Sequence, residues 1–146
     1  CERMEKLLSE FPNTITLPVQ WGEQDAFGHV NNLIYIRWFE SGRIAYLEQA
    51  GIWRSGEPLK IGPILASITC HFRRPVKYPD TVHVGTRVTR IGRTSMTVEH
   101  RILNSQHQVV AEGDSVVVMY DYERSTPHPV PDKMRQAISR LEGREL

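Results

Sequence analysis

The sequence predicts an α+β domain in which a five-stranded antiparallel sheet wraps around one long central helix, with a short C-terminal helix after the sheet. Three observations support this fold class. A strand-like segment precedes a long helical pattern, four strand-like segments follow it, and short polar connectors separate those four. The length of 146 residues fits one ordinary domain, since domains cluster around ~100–150 residues. Residues 1–146 are therefore expected to form a single domain.

The first strand is predicted from the alternation of apolar and polar residues. Its apolar positions are Ile15, Leu17, Val19 and Trp21. This is the period of a half-buried strand. Pro18 within the run has no backbone N–H, so the strand is expected at a sheet edge or beside a bulge.

The long helix is predicted from Leu33 to Ala50, and Gly51 suits the left-handed position just past its C-terminus. Asn31 or Asn32 can cap its N-terminus, because an Asn side chain accepts from the free backbone donors of the first turn. Apolar residues around its first half predict burial on several sides. One face is expected to carry Ile34, Trp38, Ser41, Gly42 and Ala45. The glycine in this set costs ~1 kcal/mol relative to alanine, so close packing against it is expected.

Four later segments alternate in the same way and predict the remaining strands. The expected inward-facing residues are Ile64, Ala66, Ile68, Cys70 and Phe72, then Val82, Val84 and Val88, then Met96, Val98, His100 and Ile102. The last run, 109–120, is longer than a typical strand, and Gly113 within it predicts a bend or a close backbone contact.

A tail helix is predicted at about 131–142, where apolar residues recur at helical spacing after a proline-rich segment. A sheet wrapped around the long helix would cover that helix from three sides. The fourth side needs a partner, so a homodimer or a dimer of dimers is expected.

Charge and cysteine content limit the classes of function. Lys and Arg number 18 against 17 Asp and Glu, a net charge of +1, so nucleic-acid binding is not expected and anions must be bound by local clusters. The only cysteines, Cys1 and Cys70, imply no disulfide framework, and a cytoplasmic location is expected. No apolar run approaches the ~18 residues that span a bilayer, and no apolar signal core follows the N-terminal charges.

A polar segment between the first strand and the helix carries the most specific pattern. It reads D-x-x-G-H-V-N-N-x-x-Y, and its members are Asp25, Gly28, His29, Val30, Asn31, Asn32 and Tyr35. Together with the residues from Trp38 to Glu40, this pattern resembles the signature of hot-dog-fold thioesterases of the 4-hydroxybenzoyl-CoA thioesterase type. The resemblance implies the hot-dog fold from about Thr14 to Asp121. It also implies hydrolysis of an acyl-CoA thioester, with CoA as part of the substrate and no cofactor.

The chemistry of thioester hydrolysis fits these residues. Free N–H groups and roughly half a positive charge at a helix N-terminus suit an oxyanion forming on the carbonyl. The resemblance assigns that role to the Asn32 amide. Asp25, just upstream, is a candidate to attack the carbonyl or to take a proton from an attacking water. A turn-capping role for Asp25 is the structural alternative.

The other residues of the motif have less specific roles. His29 is a candidate to orient Asp25 or the substrate, with a hydrogen-bonded structural imidazole as the equal alternative. Gly28 is expected to allow a tight backbone approach before the helix and to lie against the substrate. Tyr35 is a further candidate for substrate contact, although packing explains both it and Trp38.

Two basic clusters are candidates to hold the CoA phosphates. The first contains Arg73 and Arg74, followed by Lys77. The second contains Arg90, Arg93, Thr94 and Ser95. The second segment resembles the family's turn that approaches the pantetheine or nucleotide, with hydroxyls beside a guanidinium. A solvated surface is the alternative for each arginine.

Several alternatives stay open or are weakened. Glu23, Asp25 and His29 do not have the spacing of a structural zinc site, so no metal is expected. Cys70 is expected to be a small buried hydrophobe rather than a nucleophile. Glu40 has Arg37 and Arg43 three residues away on either side, so an ion pair is expected. A helix Glu is catalytic in another branch of hot-dog thioesterases, but the upstream Asp25 disfavours that use here.

Other functions compatible with the pattern are an acyl-carrier-protein thioesterase and a non-catalytic acyl-CoA-binding module. The first is open because similar motif stretches occur in plant and bacterial enzymes of that class. The second is disfavoured by the carboxylate of Asp25. A hot-dog dehydratase or hydratase is weakened because its typical His-containing motifs are not matched.

Overall fold

The computed structural model describes residues 2–54, 56 and 58–146. The helices of this part of the chain are α1 (Glu2–Leu8), α2 (Asn32–Gln49) and α3 (Asp132–Glu142). Its strands are β1 (Asn13–Pro18), β2 (Ile61–Phe72), β3 (Thr81–Ile91), β4 (Ser95–Leu103), β5 (Val109–Asp121) and β6 (Thr126–Pro127). None of these helices is both long enough and apolar enough to cross a membrane. Cys1 lies outside the described residues.

The five long strands form one antiparallel sheet in the order β1-β3-β4-β5-β2, and the two-residue β6 pairs with β5. β1 and β2 are therefore the sheet edges, which confirms the edge position that Pro18 predicts for β1. The predicted α+β class, the long helix and the tail helix are confirmed. The sequence pattern did not indicate α1 or β6. β6 has only two residues, and in the seven residues of α1 the helical spacing of Met4, Leu7 and Leu8 extends over a single turn.

Three apolar clusters hold these elements together. Residues of α2 form the largest cluster with the inner face of the sheet; among its fully buried members are Phe39, Val82, Val84, Ile102 and Val110. α3 closes a second cluster at the C-terminal end of α2 that includes Tyr46, Val88, Met119 and Ile138. α1 and the segment after it cover part of the opposite sheet face, in a cluster with Leu8, Phe11 and Leu103. Helices thus lie on both faces of the sheet.

The long helix begins and ends close to the predicted residues. Asn31 is the N-cap, and its side-chain oxygen accepts from the Leu33 N–H at 2.9 Å. Gly51 follows the helix with a φ of 74°, as predicted. The predicted face was only partly right, because the buried residues are Tyr35, Trp38, Phe39, Gly42 and Tyr46. Leu33 is 70% exposed, so the helix is not buried around its whole first half.

Two details of the predicted strands were wrong. β1 ends at Pro18, and Trp21 lies in a short 3-10 turn, Trp21–Glu23, with 73% of its surface exposed. In β2 the register shifts between Leu65 and Ser67, which interrupts the predicted alternation. Leu65 and Ile68 consequently both face α2, while Ala66 is exposed. A bulge of this kind is set by pairing with β5 and carries no local apolar signal.

Close backbone approach explains two glycines of the fold. In β5, a Cβ at Gly113 would collide with the Thr69 carbonyl of β2, which confirms the predicted close contact. In α2, a Cβ at Gly42 would collide with Thr86 Oγ1 and lie 3.1 Å from Val84 Cγ1. α2 can therefore approach β3 this closely only because the residue at position 42 is glycine, whose side chain is a hydrogen atom.

We expect Gly42→Ala to lower the free energy of unfolding by about 1–2 kcal/mol. The collision with Thr86 Oγ1 should cost about 2–3 kcal/mol, the upper part of the usual range for overpacking, and the helix preference of alanine offsets about 1 kcal/mol of it. Urea denaturation measures the change. Thr86→Ala is the matched partner variant, since Thr86 Oγ1 is buried without a hydrogen-bond partner. In the double variant most of the loss should be recovered. A Gly42→Ala protein as stable as the wild type would show that α2 packs less tightly than described.

Candidate active site

The loop between β1 and α2 is held to the body of the protein by backbone hydrogen bonds. The Val19 N–H donates to the Asp80 carbonyl at 2.8 Å, and the Val30 N–H donates to the Val76 carbonyl at 2.8 Å. Within the loop, the Asn31 N–H donates to the Glu23 carbonyl at 3.0 Å. These bonds fix both ends of the segment that carries the D-x-x-G-H-V-N-N motif.

Asp25 organises a tight turn inside this loop. Its Oδ1 accepts from the Phe27 N–H at 2.8 Å and from the His29 N–H at 3.2 Å. Its own N–H donates to the His29 carbonyl at 2.7 Å. The turn-capping alternative for Asp25 is therefore seen, but it uses only one carboxylate oxygen. Among the described residues, Oδ2 has no hydrogen-bond donor, so one oxygen remains free for chemistry.

Gly28 supplies the conformation that this turn requires. Its φ is 78°, in the left-handed region, where a residue with a Cβ is strained. Its N–H donates to the Asp25 carbonyl at 3.2 Å. Space is not the reason for glycine here, since an added Cβ would meet nothing within 4 Å. The predicted role of Gly28 in backbone geometry thus has a direct structural cause.

The N-terminus of α2 presents one unused donor. The Leu33 N–H is satisfied by the Asn31 side chain, and the Ile34 N–H donates to the Asn31 carbonyl at 2.9 Å. Within the described part of the chain, the Asn32 N–H has no acceptor. This amide lies in the first turn, where the helix dipole adds roughly half a positive charge. Such a donor suits a developing oxyanion.

Asp25 and the start of α2 line one pocket of about 270 Å³, together with the segment after β2. The lining residues are Asp25, His29, Val30, Asn32, Tyr35, Phe72, Arg73, Arg74 and Pro75. Six residues proposed from the sequence as catalytic or substrate-binding therefore meet at one opening. The pocket combines a carboxylate, a helix N-terminus and two guanidinium groups.

Tyr35 connects the helix to the arginine segment. Its hydroxyl donates to the Arg74 carbonyl at 3.1 Å, and its ring packs on Trp38 and Phe72 with centroids 5.4 and 5.3 Å away. Burial raises the pKa of the Tyr35 hydroxyl, so this group stays a neutral donor at physiological pH. The contacts fix the 72–75 segment beside the helix N-terminus.

The imidazole of His29 lines the pocket without a hydrogen bond to any described residue. The contact between His29 and Asp25 runs through the His29 backbone N–H, so a hydrogen-bonded structural imidazole is not what the structure shows. The ring can meet a ligand in the pocket, while its orienting role stays a prediction.

The second basic cluster does not meet the first within one chain. Thr81, at the start of β3, pairs with the end of β1 beside the motif loop, whereas Arg90, Arg93, Thr94 and Ser95 surround the far end of β3. Ten residues of strand separate the two ends by ~33 Å. The 90–95 turn instead contacts the C-terminal tail. The Gly92 carbonyl accepts from the Arg135 guanidinium at 2.9 Å, and the Arg93 carbonyl accepts from the Val130 N–H at 2.8 Å.

Phe72 and Pro75 are pocket residues that sequence reasoning did not assign to the site. Phe72 was placed only on the apolar face of a strand. No local signal could have assigned them, because their position depends on β2 ending beside the start of α2, two segments far apart in the chain.

Three further expectations can be compared with the structure. No group of three or more His, Cys, Asp or Glu side chains suited to a metal is found among the described residues. Cys70 is half-buried against the main core cluster, and burial raises its pKa to about 11, so its thiol is a poor nucleophile. The predicted ion pair of Glu40 was wrong. Glu40 forms no ion pair with a described residue, and Arg43 donates instead to Ser115 at 2.9 Å.

Comparison with known proteins gives consistent matches over most of the chain. A family model described as Thioesterase-like superfamily matches residues 19–138. The acyl-acyl carrier protein thioesterase ATL3, chloroplastic, of Arabidopsis thaliana is 30% identical over 136 residues, covering 89% of this chain and 68% of that protein.

Two solved structures are similar in both sequence and fold. The PA2801 protein from Pseudomonas aeruginosa superposes with a TM-score of 0.80 at 33% identity, covering 88% of this chain and 98% of that one. A thioesterase from Thermus thermophilus, complexed with coenzyme A and Zn, has a TM-score of 0.81 at 29% identity and covers 94% and 98%. The fold and the motif loop lie within the region shared with thioesterases.

Proposed function

Because the chain belongs to the thioesterase-like superfamily of hot-dog-fold enzymes, we propose that it hydrolyses acyl-CoA thioesters to a free acid and CoA. The observation that carries this proposal is the pocket shared by Asp25 and the Asn32 amide. Among the described residues, Oδ2 of Asp25 has no hydrogen-bond donor and the Asn32 N–H has no acceptor, so both groups are available to a substrate. The narrower resemblance to the 4-hydroxybenzoyl-CoA type stays a prediction.

The reaction follows from these two groups. The Asn32 N–H donates to the thioester carbonyl oxygen and stabilises the negative charge that develops there. Oδ2 of Asp25 takes a proton from a water molecule, the water oxygen bonds to the carbonyl carbon, and the C–S bond breaks. The proton then passes to the leaving thiolate. Direct attack by Asp25, giving a mixed anhydride that water hydrolyses, uses the same geometry.

The arginines of the pocket are placed to hold the phosphates of CoA. Arg74 is exposed, and its guanidinium makes no ion pair with a described residue. Arg73 lies 3.4 Å from Glu112 in an exposed pair, which contributes little to stability. Arg74 is thus the freer cation at the mouth of the pocket, and a phosphate is a matching ligand.

Acyl-carrier protein is the second candidate carrier. The Arabidopsis relative is named as a thioesterase of acyl-acyl carrier protein, whereas the Thermus structure contains coenzyme A. We favour CoA because Arg73 and Arg74 line the pocket and CoA offers these cations its nucleotide phosphates, whereas acyl-carrier protein has only the phosphopantetheine phosphate.

The free edge of β2 supports the expected homo-oligomer. This strand of 12 residues carries no charged side chain, although natural sheet edges are usually protected by charges. Ile64, Leu65 and Phe72 on it are 39, 43 and 45% exposed. We propose that a second copy of the chain pairs along this edge. Because Phe72 also lines the Asp25 pocket, the second subunit would border the site.

We expect Asp25→Asn to lower kcat by roughly 10²–10⁴-fold, the contribution of a positioned acid–base group. The amide oxygen of Asn can still accept from the Phe27 and His29 N–H groups, so the melting temperature should not change. Thiol release from a panel of acyl-CoA esters measures the rate.

Asp25→Ala is the matched control for the turn, because it removes both the charge and the turn hydrogen bonds. It should lose activity and lower the melting temperature. Wild-type rates in Asp25→Asn would remove Asp25 from the mechanism. If the wild type releases no thiol from any ester but binds acyl-CoA, the chain is a binding module.

For the carrier, we expect a higher kcat/KM for an acyl-CoA than for the same acyl group on acyl-carrier protein. Arg74→Ala should raise KM for the CoA ester roughly 2- to 10-fold, the size of one solvent-exposed charged contact. The N-acetylcysteamine ester, which has no phosphate, should show no change. Arg3→Ala, at an exposed arginine of α1, is the control. Equal effects on both esters would show that Arg74 does not bind phosphate.

For the oligomer, light scattering after gel filtration should give a wild-type mass of two or four chains. Ile64→Lys places a charge on the β2 edge and should shift the protein towards the monomer. Trp21→Lys is the control. It also replaces an exposed apolar residue, but Trp21 lies just after β1, at the other edge of the sheet, so this variant should keep the wild-type mass. A monomeric wild type at micromolar concentration would contradict the proposed pairing.

A further inference from the structure

A second pocket lies between α2 and the sheet, separate from the Asp25 pocket. It has a volume of about 300 Å³, within the range of small-molecule sites. Its apolar lining includes Ile44, Leu47, Leu65, Val88, Met96 and Ile138. Leu65 is also 43% exposed in the single chain, so the pocket opens beside the β2 edge, where the proposed second copy would border it. Two charged residues, Glu40 and Arg43, interrupt this apolar wall.

Arg43 is a half-buried cation with few partners. Its Nη1 donates to Ser115 Oγ at 2.9 Å. That is its one hydrogen bond to the described residues, although a guanidinium has five N–H donors. No carboxylate of the described residues lies within ion-pair distance. Burial lowers the Arg43 pKa, and the attraction of Glu40 only partly offsets that effect.

The surroundings of Arg43 provide no internal anion among the described residues. Ser115 lies 2.8 Å from Nε2 of His100, which is fully buried. Burial, and then the charge of Arg43, lower the His100 pKa to about 3, so the imidazole is neutral. Glu40 is solvent-exposed, and water screens its charge. The pocket therefore carries a positive charge among apolar side chains that the exposed Glu40 offsets only in part.

Both pockets lie along the line where α2 runs beside β2, and they share no lining residue. Between them lie Ile68 and Cys70 of β2, which are only partly buried against the core cluster, so we take this line as the gap that a ligand would follow. Tyr35 and Phe72 border the gap at the Asp25 end, and Arg43 and Leu65 border it at the second pocket. Eleven residues of helix separate Asn32 from Arg43, a rise of ~16 Å. Helical side chains lean back towards the N-terminus. An acyl chain whose carbonyl meets the Asn32 amide can therefore extend along the gap towards the guanidinium.

We propose that the second pocket binds the far end of the acyl group and that Arg43 pairs there with a terminal carboxylate. The substrate class would then be ω-carboxyacyl-CoA. Subtracting the reach of the arginine leaves ~9–11 Å for the chain, or about eight to ten carbons at ~1.3 Å per bond of an extended chain. This inference rests on the proposed hydrolysis of acyl-CoA.

The test compares the mono-CoA ester of decanedioic acid with decanoyl-CoA. The wild type should have the higher kcat/KM for the carboxylated ester. In Arg43→Met, the ratio of the two kcat/KM values should fall roughly 10- to 100-fold, the range for a hydrogen bond to a charged group. Arg43→Lys keeps the charge and should retain part of the preference. Arg37→Met, on the same helix but outside the pocket, should keep the wild-type ratio.

Ser115→Ala separates recognition from structure, because it removes the hydrogen bond that holds Arg43 but keeps the cation. It should preserve the preference for the carboxylated ester. If Arg43→Met fails to fold, Arg43→Lys and Ser115→Ala still test the preference. A wild type that prefers decanoyl-CoA or an ω-hydroxyacyl ester would overturn the inference and leave the proposed hydrolysis intact.

A binding measurement does not depend on hydrolysis. Calorimetry should show that octanoate binds the wild type more tightly than 1-octanol, and that Arg43→Met removes this difference. If no ester is hydrolysed but octanoate binding depends on Arg43, the proposed activity fails while the carboxylate pocket stands. If octanoate and 1-octanol bind equally in the wild type, the pocket does not recognise a carboxylate.

Discussion

The position of α2 against the sheet is the constraint on which the rest of the structure depends. The helix must lie close enough to β3 that Gly42 faces Thr86 without a side chain between them. Its N-terminus must meet a loop held by the Val30–Val76 and Asn31–Glu23 backbone bonds. Under both conditions the Asn32 amide, which has no acceptor among the described residues, lies in the pocket with Asp25. Core packing and site geometry are therefore the same requirement.

Local sequence signals predicted the features that depend on interactions between residues close together in the chain. Helix capping at Asn31, the left-handed Gly51 and the alternation in β3 and β4 depend on neighbours within a few residues. The bulge in β2 and the exposure of Trp21 depend on pairing and on where a strand stops, so alternation alone placed them wrongly. The same limit hid Phe72, whose place beside Tyr35 exists only after the sheet has formed.

The charged residues beside α2 differ between the Asp25 pocket and the second pocket. Near Asn32 the charged side chains are exposed, and water can reach them, as hydrolysis requires. Near Arg43 the guanidinium is surrounded by apolar residues and bonds to a neutral serine. A half-buried charge that forms no ion pair with the described residues lowers stability, so its presence favours a role in binding. Under the two proposals, the N-terminus of α2 would polarise the carbonyl and the middle of α2 would bind the anionic end of the acyl chain.

The proposed pairing of two copies would bring the two basic clusters together. Within one chain, Arg90 and Arg93 lie ~33 Å of strand away from the Asp25 pocket. If two copies pair antiparallel along β2, the Phe72 end of one strand lies beside the Ile61 end of the other. The 90–95 turn belongs to that same Ile61 end of the sheet, only two or three strand spacings of ~4.8 Å from the edge. Each subunit would then place its turn beside its partner's pocket, where the extended CoA nucleotide needs cations.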